Sequence, residues 1–155
     1  MSLLRDFLFP CFYAFMACLS FCLILNQRRG LLVISSLGGS IGWAAYLLAA
    51  PGGSDIFQCF IGAIAVAVYA EIMARVFKAP ATGFLVTGIL PLVPGGGIYY
   101  TMEYCLAGDT QLFLSTGIHT LGVAGAVAVG LLLVSSLGAM VHPGPGAAGR
   151  RGAGN

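Results

Sequence analysis

Few side chains in this chain are capable of chemistry, and they are widely spaced. His119 sits in a long apolar run beside Thr116 and Thr120. An ionisable group within such a run is a functional candidate, because imidazole relays protons near neutral pH. A neutral histidine bonded to a neighbouring helix is the structural alternative. Glu71, Arg75 and Lys78 fall at i, i+4 and i+7, on one face of a helix near the end of an apolar run. They form either a vestibule that attracts anions or an interfacial anchor, in which Glu71 pairs with Arg75 and Lys78 snorkels. Glu103, at the far end of another run, is a candidate to carry a proton or bind an ammonium group, or is simply exposed.

Gly38-Gly39-Ser40-Ile41-Gly42 fits the G-x-S-x-G pattern of serine hydrolases. That motif needs a strand-turn-helix elbow, whereas this stretch lies inside a continuous apolar run. Gly38 and Gly42 read better as a small-xxx-small device that lets helices approach closely, repeated by Gly122, Ala126 and Gly130. The 5 cysteines, Cys11, Cys18, Cys22, Cys59 and Cys105, contain no CxxC, so neither a disulfide framework nor a metal site is expected. Cys11, Cys18 and Cys22 share one helical face as small packing residues. No cofactor is expected.

The elements that must position these groups follow from composition. Lys and Arg number 7, Asp and Glu 5, and together they make 8% of 155 residues, against about 25% in a soluble domain. Hydrophobic residues reach 59%. So few charges cannot clothe a water-soluble globule, the apolar content excludes disorder, and there is no basic stripe for nucleic acid. The expectation is an all-α integral membrane protein. A bilayer core needs about 20 apolar residues in helix, and five runs qualify: Phe7 to Leu25, Leu31 to Ala50, Ile56 onward through Glu71 towards Lys78, Thr82 to Tyr104, and Leu112 to Met140. Their continuity excludes a barrel, whose strands alternate. The first run reads as an uncleaved helix, since it is long for a signal peptide and no A-x-A site follows. His142 to Asn155, rich in Gly, Pro and Ala, reads as a disordered cytoplasmic tail.

The fourth run is interrupted. Pro91 and Pro94 each remove an N–H and obstruct a carbonyl, and Gly95, Gly96 and Gly97 have poor helix propensity. A broken helix has a second N-terminus, here at about Gly95 to Gly97, whose bare amides favour an anion. The other reading is a kink that only shapes packing. No charge lies near this segment in the sequence, so a carboxylate held there would rely on backbone amides, hydroxyls or a partner.

Orientation follows from the positive-inside rule. With five alternating spans, Arg28, Arg29, Arg75, Lys78, Arg150 and Arg151 share one side, and only Arg5 lies on the other, with Asp6, Asp55 and Asp109. The N-terminus is therefore expected outside and the C-terminus in the cytoplasm.

The stretch Lys78-Ala79-Pro80-Ala81-Thr82-Gly83-Phe84, then Ile89-Leu90-Pro91-Leu92-Val93-Pro94-Gly95, then Tyr99 or Tyr100, resembles the threonine/serine exporter family. The likeness is to its small five-span, YjjB-like subunit, the second ThrE-type domain, and Gly39-Ser40-Ile41-Gly42 extends it. The matching motif residues are Pro80, Phe84, Pro91, Pro94, Gly95 and a tyrosine. The resemblance implies a multi-pass protein of the bacterial inner membrane, with residues 1–141 as a five-helix transmembrane half-transporter. It implies a larger five-span partner of the same family and export of threonine and serine or of succinate-like dicarboxylates. Two such halves would form an inverted repeat with the small carboxylate-bearing metabolite between them. On this reading Pro91, Pro94, Gly95, Gly96, Gly97, Tyr99 and Tyr100 line the path, and a bulky residue at Gly96 blocks export without harming assembly. Arg75 and Lys78 form the cytoplasmic vestibule, and Glu71, His119 or Glu103 supplies charge or a coupling proton. The alternatives are an accessory subunit that stabilises its partner, a passive channel, or an intramembrane serine hydrolase using Ser40 and His119.

Overall fold

The computed structural model describes residues 7–141, which are helical and contain no strand. The tail at 142–155, with Arg150 and Arg151, and the N-terminal Arg5 and Asp6 lie outside the described residues. The helices are α1 (Phe9–Ile24), α2 (Leu32–Leu48), α3 (Asp55–Phe77), α4 (Ala81–Ile89), α5 (Gly95–Ala107) and α6 (Thr110–Val141).

Their boundaries follow local chemistry. Ser54 caps α3 by accepting from the Phe57 N–H at 3.3 Å, and Asp55 occupies the first turn, where a carboxylate favours the helix dipole. Lys78 ends α3 in the left-handed region at φ 49°, and Pro80 precedes α4. Gly108, at φ 76°, closes α5, after which the Asp109 carboxylate caps α6 by accepting from Leu112 N–H at 3.1 Å.

Two helices are long and apolar enough to cross a membrane, Asp55–Phe77 and Thr110–Gly138, with mean hydropathies of 1.9 and 2.1. The segments Ala81–Leu92 and Gly95–Ala107 together make a third candidate, bent by 53°. Helices α1 and α2 are apolar but shorter, at 16 and 17 residues. Length and composition therefore support two or three spans, fewer than the five expected from the apolar runs. The run from Phe7 to Leu25 loses residues to the turn that begins at Leu25, and the run from Leu31 to Ala50 ends in a 3₁₀ turn at Ala50–Gly52.

The central pair is α2 and α3. Helix α1 packs on α2, α6 packs on α3, α4 lies against both α2 and α3, and α5 packs chiefly on α6. The distribution of side chains inverts that of a soluble protein. Small or polar residues such as Ala63, Ala67, Cys18, Ser36 and Thr87 are fully buried, while Leu48, Leu106, Ile118 and Leu121 point outward. In lipid an apolar side chain gains little by turning inward, so close van der Waals contact holds helices together and small residues permit it.

The glycines show this directly. A Cβ on Gly38 would lie 3.2 Å from the Tyr69 ring, one on Gly88 2.7 Å from Val66, and one on Gly130 3.1 Å from Ala63. On Gly122 it would meet Ile56 at 2.9 Å, and on Gly42 it would collide with Val66. Ala126 is half-buried on the same α6.

A polar knot fastens α1, α2 and α4. Thr87 donates to Gly83 O at 2.9 Å and accepts from Gln27 Nε2 at 3.3 Å, while Cys18 donates to Thr87 O at 3.3 Å. Cys22, between Ser36 and Thr87, completes it. Thr87→Val keeps the shape and removes the hydroxyl, so it is expected to cost about 1–2 kcal/mol. That should lower Tm in detergent by about 4 °C; an unchanged Tm would show that the knot contributes no net stability.

Candidate functional site

The interruption of α4–α5 creates the site. Pro91 lies in a 3₁₀ turn, Leu90–Leu92, and Pro94 stands at the N-cap of α5 with no side-chain cap. Gly95 N–H is bonded to Val93 O at 2.7 Å and Ile98 N–H to Pro94 O at 3.1 Å, whereas the Gly96 and Gly97 amides have no acceptor among the described residues. Gly97 faces α6 so closely that a Cβ there would lie 2.5 Å from Thr120 Oγ1. Thr120 directs its own hydroxyl to Thr116 O at 2.7 Å.

Beside this corner lies a half-open cavity of about 200 Å³. At about 30 Å³ per water, it holds a few waters or one small metabolite. Pro91 and Pro94 line it from the break between α4 and α5, Gly97 from α5, His119 and Thr120 from α6, and Trp43, Tyr46, Asp55 and Cys59 from α2 and α3. Asp55 is the anchor. Its Oδ1 accepts a hydrogen bond from Tyr46 Oη, and its Oδ2 lies 3.8 Å from His119 Nε2. Trp43 stacks on Tyr46 with ring centroids 5.0 Å apart, as i, i+3 spacing allows, and its buried Nε1–H has no acceptor among the described residues.

This arrangement corrects the expectation that no charge lies near the break. A carboxylate and an imidazole converge on it from helices distant in sequence. Asp55 reads in the sequence as a loop charge ending an apolar run, yet α3 runs alongside α6 so that its first residue meets the first third of α6. Trp43, Tyr46, Asp55 and Thr120 were missed as site residues. The available signal was an acid, a tyrosine and a tryptophan flanking one turn, with the two aromatics i, i+3 on α2.

Of the residues expected to line the path, Pro91, Pro94 and Gly97 line this cavity. Gly95 and Gly96 have open space where a Cβ would stand, and Tyr99 and Tyr100 are exposed, paired edge-to-face with each other at 5.5 Å. None of these four lines the cavity, because the first turn of α5 directs only Gly97 into it. Glu103 is exposed on α5. Glu71 lies against Gly138 and pairs with Arg75 at 3.6 Å, at the opposite end of α3 from the cavity. Lys78 lines a separate cleft at that end, and Arg75 does not.

The structure does not bring Ser40 and His119 together. Ser40 donates to Cys11 O at 3.0 Å, at the α1–α2 contact, while His119 stands beside Asp55. Cys18, Cys22 and Cys59 are buried, and all five cysteines are free. No group of three His, Cys, Asp or Glu side chains that could hold a metal occurs among the described residues.

Comparison with curated proteins and with solved structures gives no match. The sequence profile described as Threonine/Serine exporter, ThrE matches residues 10–137, which include both the broken helix and the groups that converge on it. The chain therefore belongs to the threonine/serine exporter family.

Proposed function

We propose that this chain is one half of a secondary exporter for small amino acids, and that the cavity at the α4–α5 corner is its part of the substrate path. The observation that carries this reading is the pairing of opposite chemistries across one cavity. Asp55, held by Tyr46, suits a substrate ammonium, while the Gly97 amide at the start of α5 suits the carboxylate. A second carboxylate would face Asp55, so the site favours a hydroxy amino acid over a succinate-like dicarboxylate. His119 beside Asp55 is the group placed to carry a coupling proton.

In the assembly we propose, all five apolar runs cross the bacterial inner membrane, the short α1 and α2 included, with the N-terminus outside and Arg28, Arg29, Arg75 and Lys78 on the cytoplasmic side. A larger five-span subunit of the same family forms the inverted half. Side-chain exposures of 44% for Asp55 and 53% for His119 support a half-site, because polar groups left that open beside an apolar helix bundle call for protein or water on their other side. The bare outer face of α5, with Tyr99 and Tyr100, is available to that partner.

The test is amino-acid efflux from dipeptide-loaded cells that lack both subunits, complemented with the pair or with this chain omitted. Efflux that persists without this chain would end the proposal. Within that assay the two neighbouring glycines separate. Gly97→Val strikes Thr120 and should lower efflux at least about tenfold, since a 1 Å misplacement near a site can cost more. Gly96→Val enters open space and should leave efflux within about twofold, surface changes being near neutral. The reverse order would move the path to the outer face of α5.

A further inference from the structure

At the far end of α3 from Asp55 lies a second cleft, of about 240 Å³, enclosed by the α1–α2 and α3–α4 turns. The 23 residues of α3, at about 1.5 Å each, put its Lys78 end about 35 Å from Asp55. Gln27, Arg28, Ser35, Lys78, Pro80 and Phe84 are among the residues lining it.

Four features of this cleft are incomplete as they stand. Ser35 is 1% exposed, yet its hydroxyl has no hydrogen-bond partner among the described residues. A helical serine ordinarily bonds the carbonyl four residues back, as Ser36 does to Leu32 O at 2.8 Å. Gln27 directs Nε2 to Gly83 O at 2.9 Å and to Thr87, and its buried Oε1 has no donor among the described residues. Helix α4, 9 residues long, begins after Pro80 with no side-chain cap, and its first-turn amides have no acceptor among the described residues. Arg28 and Lys78 have no carboxylate partner among the described residues either. Buried polar groups are almost always satisfied, so such a concentration at one cleft points to a ligand.

We infer that this cleft is a second binding site, for a small zwitterion in which an oxyanion lies a few bonds from an ammonium group. The oxyanion meets Arg28, Lys78, the Ser35 hydroxyl and the first amides of α4. The ammonium meets Gln27 Oε1, which accepts only. A free α-amino acid has this chemistry, and so does the phosphoethanolamine headgroup of a lipid. The inference does not rest on the path assigned to the Asp55 cavity.

The experiment uses the full chain, with its partner subunit where co-purified, in detergent free of phospholipid. Binding of L-serine and of glycerophosphoethanolamine is titrated separately by calorimetry, with glycerol as the uncharged control. Ser35→Ala and Lys78→Gln are each expected to weaken the zwitterion that binds by about tenfold, while Asp55→Asn leaves this component unchanged. Without ligand, Ser35→Ala should keep or raise Tm, because it removes an unsatisfied buried hydroxyl. Selective binding of L-serine identifies a soluble amino acid as the ligand, and selective binding of glycerophosphoethanolamine identifies a lipid headgroup. Binding of neither, binding untouched by both substitutions, or a fall in Tm on Ser35→Ala would overturn the inference.

Discussion

Asp55→Asn is expected to abolish amino-acid efflux, by at least about thirtyfold, while the protein still reaches the membrane. The amide is nearly isosteric and still accepts from Tyr46, so the change isolates the charge. Removing one member of a desolvated charge pair costs about 2–5 kcal/mol. The low end applies here, because the Asp55 side chain is 44% exposed in the isolated chain. About 2 kcal/mol is roughly thirtyfold. The effect on folding is smaller: Asp55 also sits in the first turn of α3, where losing a carboxylate costs about 0.3–1 kcal/mol, and Ser54 still caps the helix. Asp55→Glu should restore part of the transport, since it returns the charge about one bond length out of place. Efflux by Asp55→Asn within twofold of the wild type, at equal membrane abundance, would remove Asp55 from the path.

Gly42→Leu is expected to have the largest effect on folding. Gly42 lies where α2, α3 and the Leu90–Leu92 turn after α4 meet, and a Cβ there collides with Val66 and approaches Leu92 at 3.6 Å and Gly62 O at 3.7 Å. Gly62 across the contact is equally tight, since its own Cβ would meet Gly42 O at 3.0 Å. Overpacking costs about 1–3 kcal/mol at a single contact, and a leucine here must displace two helices at once. The upper end, about 3 kcal/mol, is a large part of the total stability of about 5–15 kcal/mol. The measurable result is loss of the protein from the membrane fraction and a Tm in detergent lowered by about 10 °C. Gly125→Leu, on α6 with nothing within 4 Å, is the matched control and should behave as the wild type. Equal behaviour of the two substitutions would mean that the contact of α2 with α3 and the Leu90–Leu92 turn does not determine stability.

Much of this molecule is local and therefore legible in its sequence. The helices end where Pro51, Pro80 and Gly108 make continuation costly, and α5 begins at Gly95, where the prolines and glycines require a new start. Hydropathy assigns the chain to a bilayer because it depends only on composition along the run. Span number was less legible. An apolar run marks where a helix is permitted, and residues at the C-terminal end of Phe7 to Leu25 and at both ends of Leu31 to Ala50 went into turns.

The candidate site was half visible. Pro91, Pro94, Gly97 and His119 stand out in the sequence because proline, glycine and an ionisable group are unusual within apolar runs. Tyr99 and Tyr100 look equally suitable there, but helical rotation turned them outward. Asp55 looked like a loop acid because its position in the sequence says nothing about which helix its own will meet.

The sequence by itself determined an all-helical chain suited to a bilayer, membership of an exporter family, and the place where one helix must break. These depend on propensities and hydropathy that act over a few residues. Only the tertiary structure decided that Asp55, Tyr46, Trp43 and His119 share one cavity, and that Ser35 and Lys78 share another. Those meetings depend on which glycines let α3 approach α2, α4 and α6, and at what register. Apolar side chains drive no preference between one helix face and another in lipid, so the register is set by steric fit between residues distant in the chain.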